Sequence, residues 1–184
     1  MKQIILITGG QRSGKSAFAE RLALRLSPTP VYLATARIWD DEFRERVRHH
    51  QARRGTCWTN IEEDKWLSRH NLHHQVVVID CITLWCTNFF YDRLEIGGEL
   101  PDTDAALHEI EAEFDRFTAQ EATFIFVTNE IGSGGVSTNA VQRRFTDLEG
   151  WMNQYVAQRA DEVILMVSGI PLTIKTNERK DESI

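Results

Sequence analysis

The chain has 184 residues, of which 42% are hydrophobic and 26% charged. At roughly 150 residues per domain this is one domain, long enough to bury a core without disulfides or a structural metal. The composition excludes a disordered chain, a collagen-like repeat and a membrane bundle. Twenty-one basic against 27 acidic residues leave a net charge of −6, which speaks against nucleic acid as a partner, since that needs a broad basic face.

The N-terminus, Met1 to Thr8, resembles a signal peptide only briefly: the apolar run is short, and Gly9-Gly10-Gln11-Arg12 stands where a small-residue cleavage site would be. No apolar run approaches the roughly 18 residues that span a bilayer, so no membrane span and a cytoplasmic location are expected. Cys57, Cys81 and Cys86 are odd in number and lack zinc-ligand spacing; they read as reduced thiols, with Cys81 in the core.

Short apolar runs alternate with stretches of helical period. Gln3–Thr8, Val31–Thr35, Val76–Asp80, Thr123–Asn129 and Glu162–Ser168 read as strands apolar enough for a sheet covered on both faces. The pattern predicts a helix over Ala17–Leu26. Leu107, Ile110, Phe114 and Phe117 fall at i, i+3, i+7 and i+10, and Phe145, Leu148, Met152 and Tyr155 repeat that spacing; Asp104 is the expected cap of the first of these helices. The alternation predicts an α/β fold with a mainly parallel sheet. Ser168-Gly169-Ile170-Pro171 is a turn signal before a short strand at Leu172–Lys175, which gives an antiparallel closing hairpin. Residues 1–176 are read as a single domain and 177–184 as a polar tail. Residues 97–102 form a second expected loose region. Trp39, Trp66, Trp85 and Trp151 are assigned to the core by default.

The strongest signal is Gly9-Gly10-Gln11-Arg12-Ser13-Gly14-Lys15-Ser16, a full match to G-x-x-x-x-G-K-[ST] between a strand and a helix. Glycines let the backbone curl so that successive N–H groups point at phosphate oxygens, and the helix N-terminus adds partial positive charge. Lys15 should reach the β- and γ-phosphates, and the Ser16 hydroxyl should ligate Mg²⁺. Val76–Asp80 is an apolar strand ending in a carboxylate, where P-loop enzymes place one near the magnesium. These residues support a nucleotide-triphosphate-binding protein without choosing among kinase, motor and switch.

Residues 40–54 read DDEFRERVRHHQARR. Asp40 or Asp41 can cap a helix on which Phe43 and Val47 share a face, with His49 and His50 at its end and Arg53 and Arg54 following. A solvated basic helix end fits this pattern. So does a nucleophilic histidine among phosphate-binding arginines, because a neutral imidazole is competent near pH 7. His70, His73 and His74 lack a completing carboxylate or thiol and read as a surface turn. Glu130, after the strand, suits either a general base or a structural hydrogen bond.

Several segments together resemble one family, the bifunctional adenosylcobinamide kinase/adenosylcobinamide-phosphate guanylyltransferases of cobalamin biosynthesis. They are ILITGGQRSGKS, VYLATARIWDDEFRERVRHHQARRGTCW with Glu62 beyond it, VVVIDCITLWCTN, FVTNEIGSGG and the C-terminal stretch from RRFTDLEG to LTIK. The resemblance runs from Ile4 to Lys175. It implies a RecA-like P-loop NTPase fold and a homotrimer. It also implies two activities: phosphorylation of adenosylcobinamide with ATP or GTP, and transfer of GMP from GTP through a guanylyl-histidine to give adenosylcobinamide-GDP and pyrophosphate. His49 occupies the position of that histidine. The family's nucleotide contacts fall on Gly9 to Ser16, on Ala34, Thr35 and Ala36, on His50, Gln51, Ala52 and Arg53, and on Glu62 and Asp80, with Ser16 and Asp80 at the magnesium. Two departures, Gly55 where the family usually has proline and a proline missing from Gly134–Asn139, bear on loop geometry more than on the reaction. Two other functions remain compatible with the P-loop: a kinase acting on another small alcohol, and a nucleotide-dependent docking module.

Overall fold

A computed structural model describes residues 2–37, 55–97 and 102–177. The sequence-predicted helix from Asp40, with Trp39, His49, His50, Gln51, Ala52, Arg53 and Arg54, lies outside the described residues, as do 98–101 and 178–184.

The elements in chain order are β1 (Gln3–Gly9), α1 (Lys15–Leu26), β2 (Val31–Ala34), β3 (Thr59–Glu62), a 3-10 turn at Leu67–Arg69, β4 (Val76–Asp80), α2 (Ile82–Gly97), α3 (Thr103–Phe117), β5 (Thr123–Val127), a 3-10 turn at Ile131–Gly134, α4 (Ala140–Arg159), β6 (Glu162–Val167) and β7 (Ile170–Thr176). The strands form one sheet in the order β3-β2-β4-β5-β1-β6-β7. Every pairing is parallel except that of β6 with β7. The expected mainly parallel α/β sheet with an antiparallel C-terminal hairpin is what the chain adopts.

Alternation along β1 divides the core. Ile4 and Leu6 join a cluster with Trp85, Phe89, Phe114, Phe117 and Leu148 from α2, α3 and α4. Ile5 and Ile7 face the other way, toward Ala19 and Ala23 of α1. Phe114, Phe117, Phe124 and Phe126 are fully buried and meet at ring-centroid distances from 4.9 to 6.3 Å. Burying each such side chain is worth about 1.5–3 kcal/mol.

Two elements are added and three expectations change. Thr59–Glu62 is an edge strand that its polar composition hid, since only Ile61 is apolar. Ile82–Gly97 is a helix whose apolar residues are spread around it, so it shows little periodicity to read. The cap of α3 is Asp102, whose side chain accepts from Ala105 N at 3.0 Å, while Asp104 sits in the first turn. Gly97 closes a helix and Asp102 caps the next, so the ends of the expected loose stretch are structured. Among the tryptophans, Trp85 is fully buried, Trp66 packs on the core from its edge, and Trp151 is 44% exposed and not core.

Candidate active site

The C-terminal ends of the parallel strands build the site. Ile7 of β1 pairs with Val127, Val127 with Asp80, Asp80 with Ala34 and Ala34 with Glu62. One rung of the sheet therefore carries Asp80, Ala34 and Glu62, three of the residues the family resemblance assigns to nucleotide. β1 continues past this rung into the loop before α1.

That loop is held by backbone demands that only glycine meets. Gly9 has φ 146°, and a Cβ there would lie 2.5 Å from the Met166 carbonyl oxygen of β6. Gly14 caps α1 at φ 93°. The β6–β7 turn braces the loop from outside, Gly169 N donating to the Ser13 carbonyl at 2.9 Å. Ser13 Oγ is buried with no hydrogen-bond partner among the described residues, a donor left over inside the cradle. Lys15 is only 7% exposed, and its Nζ curls back to the Gly10 carbonyl at 2.6 Å. Burial lowers the Lys15 ammonium below its usual range, against the opposing pull of Cys81, Asp80 and Glu149. An ammonium in this setting gains from a phosphate.

A cavity of about 360 Å³ lies over the loop, lined by residues 11–17, Asp80, Cys81, Val127 and Asn129. It brings together Gln11, Arg12, Ser13, Gly14, Lys15, Ser16 and Asp80. Ala34, Thr35, Ala36 and Glu62 stand outside it along the same sheet edge. The Thr35 side chain is committed inward: its hydroxyl donates to the Cys81 carbonyl and accepts from Cys81 N, both at 2.8 Å. Asn88 Nδ2 donates to the Thr35 and Asp64 carbonyls, both at 2.8 Å. These bonds fix the segment that leads toward residues 38–54. Arg37, the last described residue before that segment, is held by Asp92 at 2.6 Å and Asp64 at 2.7 Å. Glu130, one of the open cases, accepts from the Thr8 hydroxyl at 2.7 Å, a structural bond.

Asp80 and Ser16 supply hard oxygen donors to one cavity, which suits magnesium held by one or two protein oxygens plus phosphates. Among the described residues no group of three or more His, Cys, Asp or Glu forms a metal cage. Burial, with the Asp80 charge adding, pushes the Cys81 thiol up to about 12, so it stays neutral.

Residues 5–174 match the family described as cobinamide kinase/cobinamide phosphate guanyltransferase. The chain belongs to this family. Two relatives agree along nearly their whole length. The bifunctional adenosylcobalamin biosynthesis protein CobU of Escherichia coli (strain K12) is 38% identical, over 94% of this chain and 99% of the relative. The corresponding protein CobP of Pseudomonas aeruginosa is 35% identical, over 92% of this chain and 96% of the relative. An ATPase from the type III secretion system of pathogenic bacteria has a similar fold, with a TM-score of 0.50 and 12% identity, covering 89% of this chain and 50% of that one. In this cobinamide kinase/guanyltransferase chain the P-loop and strand-end carboxylate were readable from motifs. Tyr32, Thr83, Asn129 and Glu149 were not singled out, although Glu149 carries a signal: it falls on the buried stripe of α4 with Phe145, Leu148, Met152 and Val156.

Proposed function

We propose that this chain performs both reactions of its family, phosphorylating adenosylcobinamide with ATP or GTP and then transferring GMP from GTP to the new phosphate. The observation that supports this most is the cavity above the loop, of about 360 Å³, which Lys15, Ser16 and Asp80 line together.

In the phosphoryl step the loop N–H groups and Lys15 orient the nucleotide and offset the charge of its terminal phosphates, and positioning supplies most of the catalysis. Ser16 and Asp80 would hold Mg²⁺, which when bound neutralises charge on the β- and γ-phosphates. In the guanylyl step a neutral His49 nitrogen attacks the α-phosphorus. An N–P bond forms and the bond to pyrophosphate breaks. A phosphate oxygen of the substrate then attacks, the N–P bond breaks and the imidazole returns. The neutral nucleophile spares the first displacement from anion–anion repulsion. His50, Gln51, Ala52, Arg53, Ala34, Thr35, Ala36 and Glu62 complete the nucleotide contacts in this reading.

We also infer a homotrimer. Supporting it, β7 is a sheet edge on which Ile170, Leu172 and Ile174 are each more than half exposed, a surface suited to burial against a second copy of this chain. Light scattering on wild type and Leu172→Lys tests this: the wild type should weigh three chains and the variant fewer.

The catalytic reading is tested by assaying wild type and Lys15→Ala with adenosylcobinamide, ATP or GTP, and Mg²⁺. Loss of both activities is expected in the variant; full turnover would contradict the site.

A further inference from the structure

Glu149 is a fully buried carboxyl in α4. Its Oε1 accepts the Thr83 hydroxyl at 2.5 Å, and its Oε2 has no hydrogen-bond partner among the described residues. Thr83 Oγ1 in turn takes the backbone N–H of Asn129 at 3.1 Å and its Nδ2 at 2.9 Å. Asn129 lines the phosphate cavity with Lys15 and Asp80 and follows β5, the strand between β1 and β4. Asn153 Nδ2 holds the Asn129 carbonyl at 3.0 Å, and Asn153 Oδ1 takes the Thr128 hydroxyl at 2.7 Å. The backbone is thus pinned, and the Asn129 carboxamide is the part left to turn.

We propose that Glu149 is a positioning residue that acts through Thr83 to aim the Asn129 carboxamide at the terminal phosphate of the bound nucleotide, and that nucleotide binding draws a proton onto Glu149. This rests on the cavity being the nucleotide site.

The polarity follows from counting hydrogens. Thr83 has one hydroxyl hydrogen, and one of its lone pairs is taken by Asn129 N–H in either state. With Glu149 ionised, the hydroxyl hydrogen goes to Oε1, the second lone pair takes Asn129 Nδ2, and the oxygen end of the carboxamide is left for the cavity. A phosphate there meets an acceptor. With Glu149 neutral, its O–H donates to Thr83, and the Thr83 hydrogen goes to Asn129 Oδ1 once the carboxamide has turned over. The amide NH₂ then faces the phosphate. The proton comes from solvent, and no other reactant is needed.

The surroundings favour uptake near neutral pH. Burial raises the Glu149 carboxyl to about 7; the Thr83 bond opposes this, Glu130 adds to it and Lys15 opposes it. Lys15 from α1 and Glu130 beyond β5 are the charged groups facing Glu149, and the Cys81 and Cys86 thiols are the neutral titratable ones. A phosphate that engages Lys15 offsets its charge and adds negative charge of its own, so both changes favour the neutral acid.

The test is calorimetric titration of the full chain with the β,γ-imido analogue of GTP and Mg²⁺, in PIPES and in Tris, each at pH 7. A group titrating near 7 is half protonated before binding, so wild type should take up about half a proton more than Glu149→Gln. The glutamine donates permanently to Thr83, so this variant should bind within about threefold of wild type, with an affinity that changes less than that of wild type between pH 6.5 and 8. Asn129→Ala, which leaves Glu149 in place, should lose about tenfold in affinity at pH 6.5 and less at pH 8. Equal proton uptake in wild type and Glu149→Gln, or wild-type affinity in Asn129→Ala, would overturn the proposal. Lys15→Ala separates the two levels. Binding that survives Lys15→Ala overturns the cavity reading and this proposal together. Lys15-dependent binding without a proton difference overturns this proposal alone.

Discussion

Tyr32 donates its phenolic O–H to Asp80 Oδ2 at 2.6 Å. The ring is buried, edge-on to Trp58. One oxygen of the strand-end carboxylate is thereby engaged by β2, and the carboxylate is fixed where it lines the cavity over the loop. Tyr32→Phe keeps the ring and removes the donor. It should cost about 1 kcal/mol of stability, the usual net worth of such a bond, and raise the Mg²⁺ concentration needed for half-maximal nucleotide binding several-fold. Urea unfolding and a Mg²⁺ titration of nucleotide affinity check the two parts. Unchanged Mg²⁺ dependence would mean that Asp80 needs no such hold.

The loop glycines differ in what they tolerate. A Cβ on Gly9 would clash with the Met166 carbonyl, while one on Gly10 meets nothing within 4 Å. Gly9→Ala should therefore lose about 2 kcal/mol or more through strain and displaced backbone, and nucleotide affinity with it. Gly10→Ala should remain within about 0.5 kcal/mol of wild type, as substitutions away from such strain do. Chemical denaturation of the pair compares them directly.

Asp92 ties α2 to the root of the segment that carries His49. Its carboxyl is held below the usual range chiefly by the Arg37 hydrogen bond, with Lys65 contributing. A depressed folded value adds stability that is present above the unfolded carboxyl value near 3.9 and is lost as pH falls through the folded value. Both side chains are partly exposed, so solvent screening limits the effect to about 1 kcal/mol. Asp92→Asn should be less stable than wild type at pH 7, and the gap should close below about pH 4. Thermal melts across pH 3–7 provide the measurement.

Glu149 has the opposite sign. Its folded value, raised to about 7, lies above the unfolded one near 4.3. Its contribution is complete below that unfolded value, declines as pH rises, and is gone once pH passes the folded value. Glu149→Gln does not titrate, so its stability relative to wild type should rise from pH 4.5 to 7 and then level off, by an amount of about 3 kcal/mol. A constant difference across that range would contradict a buried, titrating carboxyl.

How much of this was legible in the sequence depends on how far each feature relies on local pattern. The P-loop spans eight consecutive residues with fixed chemistry, and Val76–Asp80 is an unbroken apolar strand, so both could be read directly. Thr59–Glu62 could not be, because an edge strand needs no apolar face and is defined by its pairing with Val31–Ala34. The Glu149–Thr83–Asn129 chain joins three elements separated by 20 to 66 residues, and no spacing rule reaches across that distance. The common rung of Glu62, Ala34 and Asp80 likewise follows from strand register, which sets Glu62 and Ala34, otherwise named only by resemblance, in line with the strand-end carboxylate.

The covalent guanylyl-histidine is the central claim, and transfer of label from α-labelled GTP with Mg²⁺ tests it most directly, comparing wild type with His49→Asn. Acid-labile, base-stable label on wild type alone is the predicted result, with kinase activity retained in the variant. Guanylyl transfer to adenosylcobinamide phosphate that survives His49→Asn would contradict the account.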